Sequence, residues 1–306
     1  MLTRARQLLE LIRFSHTVFA LPFALLAGLM AWWRGAHEPP LVPFRLADLV
    51  GILLCMVAAR SAAMAFNRIA DRKLDAANPR TANRQLPTGQ LTVAGVAVFA
   101  ALAAALFVAS TTLFLPANNL PLLLAGPLLL FLLGYSFTKR FTVLSHFWLG
   151  AALMLAPVST WIALRGQLLW HSPADILPAV VLGAGVMFWV AGFDIIYACQ
   201  DATFDQDAGL KSIPAAIGVP AALRIAAACH AATILLLSAL PWMFPALGWI
   251  YGLGVGLIAG LLIFEHLLVR PEDLTRVNVA FFHVNAVISL GLMLVVAIDL
   301  WWPTAG

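Results

Sequence analysis

The sequence predicts an all-α, polytopic membrane protein of about nine transmembrane helices, and three observations carry that prediction. Of 306 residues, 62% are apolar and only 10% charged, against about 25% charged in an ordinary soluble domain. The apolar residues run in stretches of about 20, the length a helix needs to cross roughly 30 Å of hydrocarbon. Those runs are continuous, without the polar–apolar alternation of a membrane barrel. The same arithmetic excludes a soluble globular enzyme, a disordered chain and a coiled coil. A soluble chain of this size needs far more polar surface to cover its core.

Taken in order, residues 2–12 (LTRARQLLELI) are basic and amphipathic and predict a helix lying on the membrane surface. The apolar run that follows is too long for a cleaved signal peptide, and no small-x-small site ends it. It is therefore the first span, near 14–34. Eight more follow, near 45–66, 91–114, 119–137, 141–164, 174–197, 219–241, 242–264 and 279–301. The fourth is short and the eighth is tightly joined to its neighbour. Pro22, Pro127, Pro157 and Pro178 fall inside or near spans, where neighbouring helices can satisfy the backbone groups they free.

Charge sets the orientation. With the N-terminus in the cytoplasm, 14 of the 18 basic residues fall in inside regions; Arg34, Arg45 and Arg165 lie outside and Arg60 within span two. Positive loops stay inside, so a multi-pass protein of the cell's inner (cytoplasmic) membrane, with its N-terminus facing the cytoplasm, is expected. The Trp residues agree: Trp32, Trp33, Trp161, Trp170, Trp242, Trp249, Trp301 and Trp302 fall at predicted outer ends, the interfacial level an indole prefers. The net charge of +4 is thus a topology signal rather than a nucleic-acid footprint. Cys55, Cys199 and Cys229 form no CxxC pair, which implies neither a disulfide framework nor a zinc site.

Two loops are long and dense in charge; they follow spans two and six, so four helices separate the loops and both emerge on the cytoplasmic side. The first carries Asn67, Asp71 and Asp75; the second carries Asp194, Tyr197, Asp201 and Asp205. Residues four apart share a helix face, so each helix end presents a ladder of oxygen ligands. A single such pair is usually a solvated face or half of a salt-bridge ladder. Two ladders at the ends of membrane helices are different, because an acid at mid-membrane costs roughly 2.5–3.5 kcal/mol or more and marks function. Arg68, Arg72, Lys73 and Lys211 compensate locally; divalent metal supplies the rest. Oxygen donors suit Mg²⁺, which takes one or two carboxylates plus substrate phosphates. Two such clusters could clamp a diphosphate and stabilise the charge that develops as it departs.

The residues N67-R-x-x-D71-R-x-x-D75 with N78-P-R-T-x-N-R-x-L-P-T-G89, then G134-Y-S-F-T-K-R140, then D194-x-x-Y197-x-x-x-D201-x-x-x-D205 with K211-S-I-P214 together resemble the signatures of the UbiA superfamily of intramembrane aromatic prenyltransferases. The nine-span layout is similar too, so the resemblance covers nearly the whole chain, as one domain over residues 1–306. It implies a polyprenyl diphosphate held through Mg²⁺, loss of the diphosphate to give an allylic cation, and attack by an electron-rich ring. Carried over, Asn67, Asp71, Asp75, Asp194, Asp201 and Asp205 are implied as metal ligands, with Asp207 competing with Asp205. Asp71, Asp201 and Tyr135 are implied as catalytic, and Arg72, Lys139, Arg140 and Lys211 as diphosphate-binding. Ser136 is implied beside the reacting carbon with Tyr135. The partners implied are the polyprenyl diphosphate, an aromatic acid and the lipid bilayer, with no nucleic acid and no obligate protein partner.

The NRxxD form resembles the 4-hydroxybenzoate branch of ubiquinone biosynthesis. FSHTVFALPFAL at 14–25 and GFDIIYACQD at 192–201 resemble a sister group of the futalosine-type menaquinone route, whose acceptor is also an aromatic acid. Either acid needs a cationic anchor, and Arg13 is the expected one. His16, His146, His230 and His283 are expected to pack or lie at the interface. Glu265, Arg270, Glu272 and Asp273 are expected to form a solvated loop. Two readings compete. A transporter would place its acids near the midplane on broken helices, and a CDP-alcohol phosphotransferase would carry DGxxAR, which is absent.

Overall fold

A computed structural model describes residues 7, 10–12, 19–277 and 280–302. Its α-helices are α1 (Leu21–His37), α2 (Leu46–Ala70), α3 (Arg72–Ala77), α4 (Val93–Thr111), α5 (Leu120–Gly134), α6 (Ser145–Arg165), α7 (Leu177–Ala198), α8 (Ala202–Asp207), α9 (Ile213–Ile217), α10 (Val219–Met243), α11 (Trp249–Leu268) and α12 (Asn285–Trp301). There is no strand among the described residues. Eight helical stretches among them are long and apolar enough to cross a membrane, and each overlaps a predicted span. The remaining predicted span, 14–34, is described from Leu21 onward as α1; its start, with Arg13 and His16, lies outside the described residues.

Local chemistry sets the helix ends. Proline opens α1, α5, α7, α9 and α10 within the first two positions, where a missing N–H costs no helical hydrogen bond. Thr92 Oγ1 accepts from Gly95 N at 3.1 Å and caps α4. Gly218, at φ +80°, turns the chain from α9 into α10.

The chain forms two compact units, residues 1–17 with 45–138 and residues 18–44 with 139–306. In the first, α2, α4 and α5 pack on one another. Leu11 and Ile12 are buried there with Ala65 of α2 and Val96 of α4. The end of the predicted surface helix is therefore tied to protein.

In the second unit each helix packs on the next in the cycle α1, α6, α7, α10, α11, α12 and back to α1. Phe23, Trp161, Trp189, Leu240, Tyr251 and Leu292 are among the buried apolar side chains of its core. Small residues allow the close approach of α6 and α7: a Cβ on Gly150 would strike the Met187 carbonyl, and one on Gly183 would lie 2.9 Å from Met154 Cγ. Helices in lipid associate largely through such van der Waals contact.

Two expectations need correction. The eighth span was expected at 242–264, but α11 starts at Trp249 and runs to Leu268. Pro245 and Gly248 in the Phe244–Gly248 turn delay its start, and Gly248 N donates to Asp299 Oδ2 at 2.5 Å. Glu265 consequently lies in the helix and is fully buried, not in a solvated loop. Asn285 Nδ2 donates to Glu265 Oε1 at 3.1 Å, and Trp189 Nε1 donates to Asn285 Oδ1 at 2.7 Å. Arg270, Glu272 and Asp273 are exposed as expected. Thr275 donates to Asp273 from its hydroxyl and its amide, which holds the Asp273 carboxyl below its ordinary value.

Candidate active site

The first acid ladder belongs to the first unit. Helix α2 ends at Ala70, and Asp71 leaves helical geometry (φ −96°, ψ 5°) before α3 begins. The ladder survives this break because Asp71 N still bonds Asn67 O at 2.9 Å and Asp75 N bonds Asp71 O at 2.8 Å. Asn67 Nδ2 donates to Asp71 Oδ2 at 2.8 Å and reaches Ser136 Oγ at 3.5 Å. Ser136 is buried on the 3-10 turn Tyr135–Arg140. Asp75 is buried, with Arg84 Nη1 at 2.7 Å and Arg68 Nη1 at 4.0 Å. Thr81 Oγ1 donates to the Asp75 carbonyl at 3.0 Å, and Asn78 Oδ1 accepts from Arg80 N at 2.9 Å. The NPRTANR segment thus folds back as a cradle around Asp75. Arg72 is exposed and donates to Ile69 O at 2.9 Å.

The second ladder belongs to the second unit and has the same construction. Helix α7 tightens into the 3-10 turn Cys199–Asp201, and α8 follows. Asp201 and Asp205 are buried while Asp207 is exposed. Lys139 Nζ lies 3.2 Å from Asp205 Oδ2. Lys211 N donates to Lys139 O at 2.7 Å and Lys211 Nζ to Phe141 O at 3.4 Å. Arg140 is exposed. Asp194 Oδ2 lies 2.7 Å from Nδ1 of the buried His146. Cys199 is buried and donates to Ile195 O at 3.3 Å, a packing role.

Sequence reading passed over two residues. His146 looked isolated because its partner is 48 positions away. Arg60 was noted only as lying within a span. Its Nε is buried without a hydrogen-bond partner among the described residues, and it lies seven residues, two turns, before Asn67 on the same face of α2. That places it about 10 Å deeper along the helix. A cation within an apolar span was the available signal.

The donors on both ladders are oxygens. Among the described residues no group of three His, Cys, Asp or Glu forms a ready metal cage.

By fold and site, then, this is a multi-pass, all-α membrane protein with an acid ladder at each of two helix breaks. A profile of the UbiA prenyltransferase family matches residues 20–287, and the chain belongs to that family: it is a membrane-embedded prenyltransferase. It is 32% identical to a protein named 4-hydroxybenzoate octaprenyltransferase from Paraburkholderia phytofirmans, over 93% of each chain. A UbiA homolog from Aeropyrum pernix K1, solved in its apo form, superposes with a TM-score of 0.79 at 32% identity, covering 93% of this chain and 98% of that one. A UbiA homolog from Archaeoglobus fulgidus bound to GPP and Mg²⁺ has a TM-score of 0.68 at 21% identity, covering 95% and 99%, a likeness of fold alone.

Proposed function

We propose that this chain transfers a polyprenyl group from a polyprenyl diphosphate onto an aromatic acid, with 4-hydroxybenzoate the first acceptor to test, in an Mg²⁺-dependent reaction at the cytoplasmic face of an inner membrane. The observation that carries the proposal is that both acid ladders bring buried carboxylates together with cations, Asp75 with Arg84 and Asp205 with Lys139. The name of the Paraburkholderia relative supports the acceptor. The Archaeoglobus homolog bound to GPP and Mg²⁺ supports the donor class and the metal.

In this reading Asn67, Asp71, Asp75, Asp194, Asp201 and Asp205 hold Mg²⁺, directly or through water. Bound there, the metal supplies positive charge against the departing diphosphate. The protein does the rest. Arg72, Lys139, Arg140 and Lys211 bind phosphate oxygens. Lys139 is the residue that can exchange its carboxylate partner for phosphate. Asn67 and Ser136 hold each other and orient the floor of the first ladder, and Tyr135 offers a ring face to the allylic carbon. Arg60 is proposed as the carboxylate anchor for the acceptor ring, because its half-buried guanidinium lies two turns deeper along α2 than Asn67 and its buried Nε has no hydrogen-bond partner among the described residues. Arg13, the anchor expected from sequence, lies outside the described residues. Apolar surroundings shield the allylic cation from water, and burying each methylene of the donor tail contributes about 0.8 kcal/mol.

The test is a product assay on detergent-purified protein with geranyl diphosphate, 4-hydroxybenzoate and Mg²⁺, read by mass spectrometry. Prenylated 4-hydroxybenzoate is expected. Mg²⁺-dependent loss of donor without that product keeps the reaction class and moves the acceptor to another aromatic acid. No loss of any donor, long or short, overturns the proposal.

A further inference from the structure

His146 stands in the first turn of α6, fully buried. Its two ring nitrogens face different partners. The Ile213 backbone N–H points at Nε2 across 3.4 Å. A backbone amide can only donate, so Nε2 accepts and the ring proton stands on Nδ1. From there it is donated to Asp194 Oδ2 at 2.7 Å. One imidazole therefore joins the carboxylate at the end of α7 to the backbone at the start of α9.

Both ends matter to the second ladder. Asp194 lies two turns before Asp201 on the same helical face. Ile213 lies two residues after Lys211, whose amide bonds the Lys139 carbonyl and whose ammonium bonds the Phe141 carbonyl. Lys139 in turn pairs with Asp205. Ser212 between them is fully buried and caps α9 through Ala215 N at 3.4 Å. The contacts form a circuit, Asp194 to His146 to the 211–213 segment to Lys139 to Asp205. His146 is the side chain in it that bonds both Asp194 and the 211–213 segment.

We propose that His146 is a positioning residue of the prenyl-transfer site: its single tautomer fixes the orientation of the Asp194 carboxylate and the register of the Lys211 segment together, so that the metal-holding and diphosphate-binding groups of this ladder move as one piece. The inference rests on the function proposed above. A histidine in this place accomplishes what a hydrophobic residue of similar volume cannot, because it presents one donor and one acceptor on opposite edges of a rigid ring. Glutamine shares that pairing, with an amide N–H for Asp194 and a carbonyl for Ile213 N–H.

Two measurements test it. The first reads the protein without metal or substrate: ¹⁵N-histidine NMR of the detergent-solubilised protein, with the His146 signal assigned by its loss in His146→Gln. The Nδ1–H tautomer is expected; an Nε2–H tautomer overturns the proposal. The second compares wild type, His146→Gln and His146→Leu. It follows the Mg²⁺ concentration that half-saturates a thermal shift in the presence of inorganic diphosphate, and the KM for donor and acceptor. His146→Leu is expected to need about 10–100-fold more Mg²⁺ and to raise the donor KM similarly, with the acceptor KM little changed, as when the residue supporting a ligand is lost. His146→Gln is expected to stay within about threefold of wild type, its amide replacing both hydrogen bonds. An active wild type with His146→Leu equal to it in Mg²⁺ requirement and donor KM overturns this inference alone. So does a His146→Gln protein as impaired as His146→Leu. A wild type inert toward every donor and Mg²⁺ overturns the functional reading beneath it.

Discussion

Arg84 reaches back across nine residues to place Nη1 2.7 Å from Asp75 Oδ1, and the carboxylate it meets is 9% exposed. The contact closes the cradle that follows the first acid ladder. Arg84→Met should leave Asp75 buried beside only the more distant Arg68. The expected loss is about 1–3 kcal/mol of stability, the penalty of a buried acceptor deprived of its partner. A thermal melt in detergent reads it. An unchanged melting temperature would show that the cradle stands without this pair.

Asp71 and Asp201 occupy equivalent places, each at the break between a spanning helix and the short helix after it. Asp71→Asn and Asp201→Asn should each lower turnover by about 10²–10³-fold, the range for losing one electrostatic contact to developing charge. Both should still insert and melt as wild type does. Excess EDTA should stop wild-type turnover, and added Mg²⁺ should restore it. Product formation that persists in EDTA excludes the metal role.

Arg60 gives a prediction with two opposed signs. Arg60→Leu removes a half-buried charge whose Nε has no partner among the described residues, so stability should hold or rise. The acceptor KM should nevertheless climb by about 10–100-fold, matching a charge-assisted hydrogen bond of roughly 1.5–3 kcal/mol. The donor KM should not follow. A rise in both, or in neither, assigns Arg60 elsewhere.

Gly150→Ala tests the α6–α7 contact. The added methyl meets the Met187 carbonyl, and overpacking of this kind costs about 1–3 kcal/mol. Gly256→Ala is the control, since nothing lies within 4 Å of its added Cβ. A melt that falls for Gly150→Ala but not for Gly256→Ala is expected; equal behaviour would mean that the helices separate at no cost.

The class of fold was legible because spans are long and their signal is composition alone. The acid ladders were legible because four-residue spacing survives the helix breaks through the Asp71–Asn67 and Asp75–Asp71 backbone bonds. What sequence hid were the pairings between distant elements. His146 with Asp194 and Glu265 with Asn285 are 48 and 20 positions apart, and no periodicity links them. Glu265 was misplaced for a second reason. The apolar run at 242–264 continues through Pro245 and Gly248, so hydropathy starts the eighth span before the turn that truly precedes it. The same blindness applied to Arg60, since only coordinates reveal that its buried Nε has no hydrogen-bond partner among the described residues.

The six-helix cycle of the second unit carries a consequence for how the chain is made. Helix α1 leaves the ribosome early, yet one of its two neighbours in the cycle is α12. Roughly 250 residues are synthesised between them, about 10–50 s of translation at ordinary rates. Within that interval the whole of α2–α5 must enter the bilayer. Until α12 arrives, the flank of α1 that it covers has only lipid or the insertion machinery against it. Assembly of this bundle is therefore completed by its last helix, and a nascent chain stopped short of Asn285 would leave α1 waiting, a natural point for membrane quality control to recognise an unfinished product.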